Sequence, residues 1–406
     1  MRTAERPAAR PEDDARRDPE RARIRSGLRY CLWVFLGLRV GLSIVALAGV
    51  GLLPAIDNAV GPQGWPASEV TPGWHNLVTA WERFDALWFL RIATGGYVDG
   101  DGSSVFFPLF PLLIRGLSPL LGGHPLAAAF LVSNAAAFGS MVTLYFLTAG
   151  EFDERTARRA VLYLALFPTS FFLLAPYSES LFLLLVLVSL WAARRGRWWA
   201  AGLAGAGASA TRNIGVLLVV PLAVEAIHQW RERRDRRALV VGLLWSAVAA
   251  AGAVAYLAYW QASAGDALAP IRQQENWQRE GSFPLATLVR GTVEAFRFVG
   301  QYPGGYHLVD WLVAVPAVLA VVWVVVRARP VFAAYAVISV AAPLSYVFLP
   351  RPFMSLPRFL LVVFPILWPW AVVGLRRRGV HEAVVGVSAG LLALLTVLFV
   401  NWYYVF

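Results

Sequence analysis

Residues 81–97, WERFDALWFLRIATGGY, set a carboxylate, Asp85, between aromatic side chains in a polar segment flanked by long apolar runs. A carboxylate there can take the proton of a sugar or other hydroxyl as that oxygen attacks an activated carbon. A helix over residues 80–94, lying along a membrane surface, would carry Trp81, Asp85, Trp88 and Ile92 on one face, with the tryptophans at the interface. A structural carboxylate, capping a helix or paired with Arg83 or Arg91, is the other reading of the same pattern.

Four further places could do chemistry. Arg212, in SATRNIGV, interrupts an apolar segment, where a guanidinium needs an anion or a cavity; its planar fork suits a phosphate, and pairing with Asp or Glu is the alternative. Glu179, beside Tyr177 in FPTSFFLLAPYSES (167–180), could bind sugar hydroxyls or orient an arginine, or simply be an acid at a helix N-terminus. Arg358, in SLPRFLL, opens a late apolar run and is a second phosphate or sugar candidate, with snorkelling as its structural explanation. Asp99 and Asp101 form a D-x-D pair able to hold a divalent metal, but their glycine-rich setting, DGDG, is sufficient for a solvated turn.

The elements that must position these groups are membrane helices. Hydrophobic residues make up 58% of the 406-residue chain, mean hydropathy is +0.58, and apolar runs long enough to cross a bilayer recur, which excludes an ordinary soluble protein. The net charge of +11 comes from arginine alone, concentrated between apolar runs, so it reports topology and not nucleic-acid binding. Cys31 is the single cysteine, so no disulfide forms within one chain. Residues 1–30 read as a disordered basic cytoplasmic tail and 31–406 as one transmembrane domain.

Keeping every arginine cluster on the cytoplasmic side gives spans near 32–53, 126–148, 161–176, 180–193, 239–261, 309–326, 331–349, 359–375 and 384–404. Residues 199–227 lie between two basic clusters, Arg194 to Arg197 and Arg231 to Arg237, so one crossing would violate the rule; two half-helices broken near 210–215 satisfy it. The expected fold is therefore all-α: about nine spans plus a broken hairpin, with loops 54–125 and 262–308, including QQENW (273–277) and His307, outside.

Aromatic, Asp, aromatic, Ile-Ala, Gly-Tyr across residues 84–97, then FFPLFP (106–111), Tyr-Ser-Glu-Ser at 177–180, the Arg212 motif and Pro-Arg-aromatic at 357–359 resemble the GPI mannosyltransferase 2 (PIG-V) family. The chain has Glu-Arg-Phe-Asp where Arg-Trp-Asp is commoner. The resemblance implies a GT-C-type bundle and an inverting mannosyl transfer from a polyprenyl-phosphate donor. Asp85 would be the catalytic base, Arg212 and Arg358 the phosphate ligands, and Trp81, Trp88, Tyr97, Tyr177 and Glu179 the substrate-binding candidates. No cofactor or metal is implied, since the donor is a lipid monophosphate. The expected partners are that donor, membrane lipids and a glycan, lipid or protein acceptor, on the extracytoplasmic face of a bacterial plasma membrane. A lipid or glycolipid transporter also buries an arginine in a broken helix, but no matching broken pair is evident in the other half of the chain.

Overall fold

The computed structural model describes residues 11–55, 73–273 and 280–405. It is all-α apart from one two-residue antiparallel pairing, Glu280–Gly281 with Tyr346–Val347. The first helix, α1, runs from Pro11 to Leu52. Residues 11–30, read above as disordered, are thus helical: Ala, Arg and Glu favour helix even without an apolar face. The remainder of that tail, most of the first loop's early part (56–72) and all of QQENW beyond Gln273 lie outside the described residues.

After α1, the polar loop holds α2 (Asp85–Gly95) and α3 (Leu109–Leu117). The chain then returns along α4 (Pro125–Glu151), whose Pro125 sits at the first turn, where its missing N–H is no loss. The next helix, α5 (Glu154–Ala165), is capped by Asp153, which accepts from the Thr156 amide at 2.8 Å. That bond holds the Asp153 carboxyl below the usual carboxylate range. Its stabilisation is therefore present above the unfolded-state pKa and lost as pH falls through the folded one. Asp153→Ala is expected to lower stability by about 1 kcal/mol in detergent denaturation at neutral pH, and Asp153→Asn by much less; equal losses would show that the cap is not what matters.

Helices α6 (Glu179–Arg194), α7 (Trp198–Thr211) and α8 (Val219–Arg233) answer the topological conflict. Arg212 meets Glu179 at the start of α6, whereas Gln229 donates to the Ala193 carbonyl and Glu225 pairs with Arg194 at its end. So α7 and α8 run out and back along α6, reversing at Arg212. The reversal uses an extended Arg212 (φ −151°) and a 3-10 turn, Asn213–Leu218. Gly215 is required there, since a Cβ would lie 2.4 Å from the Ala208 carbonyl oxygen.

The chain continues through α9 (Arg236–Val248) and α10 (Ala251–Ala264), then an outer helix, α11 (Pro284–Arg297). The last helices are α12 (Gly304–Arg327), α13 (Pro330–Leu344), α14 (Leu367–Arg376) and α15 (Arg378–Val400). Six helical segments are long and apolar enough to cross a membrane by length and composition. Five of them coincide with expected spans, whereas the sixth, Asn213–Arg233, was expected as half of a broken hairpin and is long enough for a full crossing, a correction to the half-helix reading. The expected spans at 161–176, 180–193, 331–349 and 359–375 are shorter helices, α6 and α13 among them.

The arginine clusters gather at one end of the bundle. Arg23 pairs with Glu154, Arg194 with Glu151, and Arg329 with Glu232, while Tyr163 bonds His381. This is the sidedness that the positive-inside rule requires. Asp85, Glu179, Arg212 and Arg358 lie at the opposite end.

Candidate active site

Four charged side chains from four separated stretches meet in one cluster. Arg358, on the short helix Leu356–Leu360, donates from Nη1 to Asp85 Oδ2 at 2.6 Å and from Nε to Glu179 Oε1. Arg212 donates from Nη1 to the same Glu179 oxygen at 2.5 Å. Two guanidinium groups thus share one fully buried carboxylate, and one of them, Arg358, also meets a second that is only partly buried. A buried charge is tolerable only with such partners.

Glu179 stands behind the arginines, because Asp85, Arg212 and Arg358 line a cleft of about 190 Å³ whereas Glu179 does not. Phe89, Phe106, Phe107, Phe359, Met354 and Tyr404 supply its aromatic and apolar walls. Ser178, Thr211 and Asn213 add small polar groups beside Arg212. A cleft lined by two guanidinium groups, a carboxylate and several aromatic rings can hold an anion together with a polar ring. The apolar cavity lined by Phe167, Pro316 and Trp370, by contrast, has no carboxylate or arginine in its lining.

Local structure explains Asp85's placement. It is the first residue of α2, and the preceding Phe84 holds φ at 51°, a costly conformation for a bulky residue. Packing enforces it: the Phe84 ring lies 5.8, 5.1 and 5.7 Å from the rings of Phe399, Trp402 and Tyr404. Arg83, 1% exposed, ties the same turn to the end of α15 through the Val400 carbonyl at 2.9 Å.

This break corrects the expected helix over 80–94. Trp81 precedes α2, is buried 6.4 Å from the Phe399 ring and shares no face with Asp85. Neither expected arginine pairs with Asp85 either, since Arg83 is committed to carbonyls and Arg91 to Asp101. Trp88 stands one layer behind the cleft, stacked on Phe106 at 5.5 Å. Tyr97 is displaced further, donating to the Phe106 carbonyl and facing the groove lined by Tyr256 and Tyr259. Tyr177 is wholly buried, its hydroxyl donating to the Arg83 carbonyl and its ring 4.9 Å from the Arg358 guanidinium. Of the readings open for Glu179, the geometry is that of an acid orienting arginines. None of these four aromatic residues lines the cleft, and the face that Trp81 was expected to share with Asp85 and Trp88 is interrupted at Phe84.

Asp101 accepts from the Ser103 amide at 2.8 Å and pairs with Arg91, and Asp99 lies exposed in the turn. Among the described residues no group of three or more His, Cys, Asp or Glu could hold a metal. Arg39 stacks over Phe130 at 5.1 Å. His307 is buried in α12 away from the cleft. Sequence reasoning missed Phe359, Met354, Ser355 and Tyr404 as lining residues. Phe359 is the aromatic of the Pro-Arg-aromatic motif and Ser355 the first residue of SLPRFLL, though neither was named as a site residue; Tyr404, after α15, carried no signal.

Residues 52–277 match the model of the family described as mannosyltransferase (PIG-V). Among curated proteins, the chain is 33% identical over 168 residues to GPI alpha-1,6-mannosyltransferase 2 of Rattus norvegicus, covering 39% of this chain and 34% of that protein. It is 34% identical over 157 residues to the Homo sapiens protein of that name, covering 35% and 31%. The match thus spans about a third of those relatives' length. Solved structures with likeness include ArnT from Cupriavidus metallidurans bound to undecaprenyl phosphate, at 14% identity and TM-score 0.46, covering 92% of this chain and 76% of that one. Another is AglB from Archaeoglobus fulgidus with an inhibitory peptide and a dolichol-phosphate, at 12% and 0.45, covering 92% and 56%.

Proposed function

Because the chain belongs to the PIG-V mannosyltransferase family, we propose that it is a multi-pass membrane glycosyltransferase that moves mannose from a polyprenyl-phosphate donor to a hydroxyl acceptor on the extracytoplasmic side, in a bacterium at the plasma membrane. The observation that carries this reading is Arg358 bridging Asp85 and Glu179 in a cleft at the end of the bundle opposite the arginine clusters. An acid and two cations facing one cavity are the minimum for a displacement at a carbon bearing a phosphate.

In that displacement the acceptor oxygen forms a bond to the anomeric carbon from the face opposite the phosphate, and its proton passes to Asp85. The bond from the anomeric carbon to the phosphate oxygen breaks, its electron pair leaving with the polyprenyl phosphate, so configuration inverts. Arg212 and Arg358 meet the charge gathering on the departing phosphate, which they can do without reorganising because Glu179 holds them from behind. Asp85 carries one oxygen on Arg358 through Oδ2, an arrangement that orients the carboxylate toward the acceptor.

Transfer of radiolabelled mannose from polyprenyl-phosphate mannose by the purified protein tests the reading; a pure, folded protein that moves lipid between leaflets but transfers no sugar would replace it with a transporter. Divalent metal has no part in the proposal. Activity is expected to persist in excess EDTA, and Asp99→Ala to change turnover by less than about threefold, within the range of a solvated surface substitution. Loss on chelation with recovery in manganese or magnesium would return the metal to Asp99 and Asp101.

A further inference from the structure

The end of α15 and the segment that follows it are gripped by two buried arginines. Arg83, in the turn before Asp85, donates to the Val400 carbonyl and lies 4.9 Å over the Trp402 ring. Arg351, shortly before Arg358 in the chain, donates from Nη1 to the Tyr404 carbonyl at 3.3 Å and from Nη2 to the Val405 carbonyl at 3.2 Å. Arg351 is itself locked in a fork onto Asp310 of α12, at 2.6 Å from Nε and 2.8 Å from Nη2. Asn401 adds a bond to the Gly49 carbonyl of α1. The hydrogen bonds from the two arginines to this segment go to backbone carbonyls, so they fix its path, and Arg83 also covers the Trp402 ring. Trp402 and Tyr404 turn to Phe84, the residue before Asp85. Tyr404, still 37% exposed, lines the cleft.

A buried ion pair is weak evidence for stability, since apolar residues of similar size commonly replace it without loss. The Arg351–Asp310 pair does something apolar residues cannot, which is to hold two carbonyls outside any helix. Asp310, Arg351 and Tyr404 all lie outside the stretch matched by the family model. We infer that Tyr404 forms the acceptor-side wall of the site, and that Arg351, seated on Asp310, is a positioning residue that keeps it there. The Tyr404 ring packs 5.7 Å from the ring of Phe84, the residue before Asp85, and lines the same cleft as Asp85, Arg212 and Asn213. The ligand of this wall is the hydroxyl-bearing acceptor, met at an aromatic face. This inference rests on the transferase reading for its substrate and on geometry alone for the clamp.

The test replaces the pair by apolar residues, Arg351→Met with Asp310→Leu, which removes the donors while leaving no buried charge, and compares it with Tyr404→Ala. Amide hydrogen exchange at residues 401–405 in detergent is expected to quicken about tenfold or more in the double variant and to change little in Tyr404→Ala. With undecaprenyl-phosphate mannose as donor and octyl mannoside as acceptor probe, both variants are expected to raise the acceptor KM about fivefold or more and to leave the donor KM within about twofold. Unchanged exchange in the folded double variant would overturn the clamp whatever the activity. Quickened exchange with unmoved acceptor KM, or donor and acceptor KM rising together, would overturn the acceptor wall. A wild-type protein that transfers to no acceptor would instead count against the transferase reading, with the exchange result still deciding the clamp.

Discussion

Asp85→Asn is expected to slow sugar transfer by a few hundred-fold or more, within the range of about 10²–10⁴-fold for losing a general base, while the protein folds and binds donor as before. The amide keeps the size of the carboxylate and an oxygen that can accept from Arg358, so the contact across the cleft survives in shape. What disappears is the ability to hold a proton. The loss should fall on kcat, with the donor KM moving little. Pre-steady-state mixing with the donor in excess would separate the two, since a defect confined to binding shows a normal first turnover once the site is saturated. Near-normal transfer by folded Asp85→Asn protein would remove Asp85 from the reaction and leave it as a partner of Arg358.

The second large effect concerns the two arginines, which the structure makes unequal. Arg358 touches both carboxylates and is nearly buried, so Arg358→Ala leaves Glu179 with one partner and Asp85 with none from this pair. Breaking a buried pair of this kind typically destabilises by about 3–5 kcal/mol. We expect Arg358→Ala to unfold early in detergent and to be inactive, and Arg358→Lys to recover some stability without the fork that reaches two acids at once. Arg212 is more accessible, its side chain 14% exposed, and Glu179 keeps Arg358 when it is removed. Arg212→Ala should therefore fold, and raise the donor requirement more than the acceptor requirement, with Arg212→Lys intermediate. Thermal melts paired with donor and acceptor titrations distinguish the cases. Equal destabilisation by both alanine variants would show that the cluster is one structural unit, and an unchanged donor dependence in a stable Arg212→Ala would leave Arg358 as the phosphate ligand.

Much of this was legible in the sequence because it depends on local composition. Apolar length marks membrane helices, and arginine between the runs marks their sidedness, so a reversal of the chain near Arg212 followed from charge before any coordinates, although one of the half-helices expected there, Asn213–Arg233, is long enough for a full crossing. The four charged residues that the structure brings together were also singled out in the sequence, since two acids and two arginines are rare and costly where these stand. The aromatic set was less so. Helical spacing grouped Trp81 with Asp85, yet a positive φ at Phe84 separates them, and that φ is held by rings from the far end of the chain that periodicity does not see.

Only the tertiary structure decided which groups meet. Arg358 lies 273 residues from Asp85 and 179 from Glu179, and no spacing rule reaches across such intervals. Tyr404 is in the same position: an ordinary aromatic after the last helix, it enters the cleft because Arg83 and Arg351 direct the backbone on either side of it. Burial supplies the physical reason. Once the helices exclude water, each charge must find a partner at the same depth, and the packing of distant helices, not the order of residues, determines which partners are within reach.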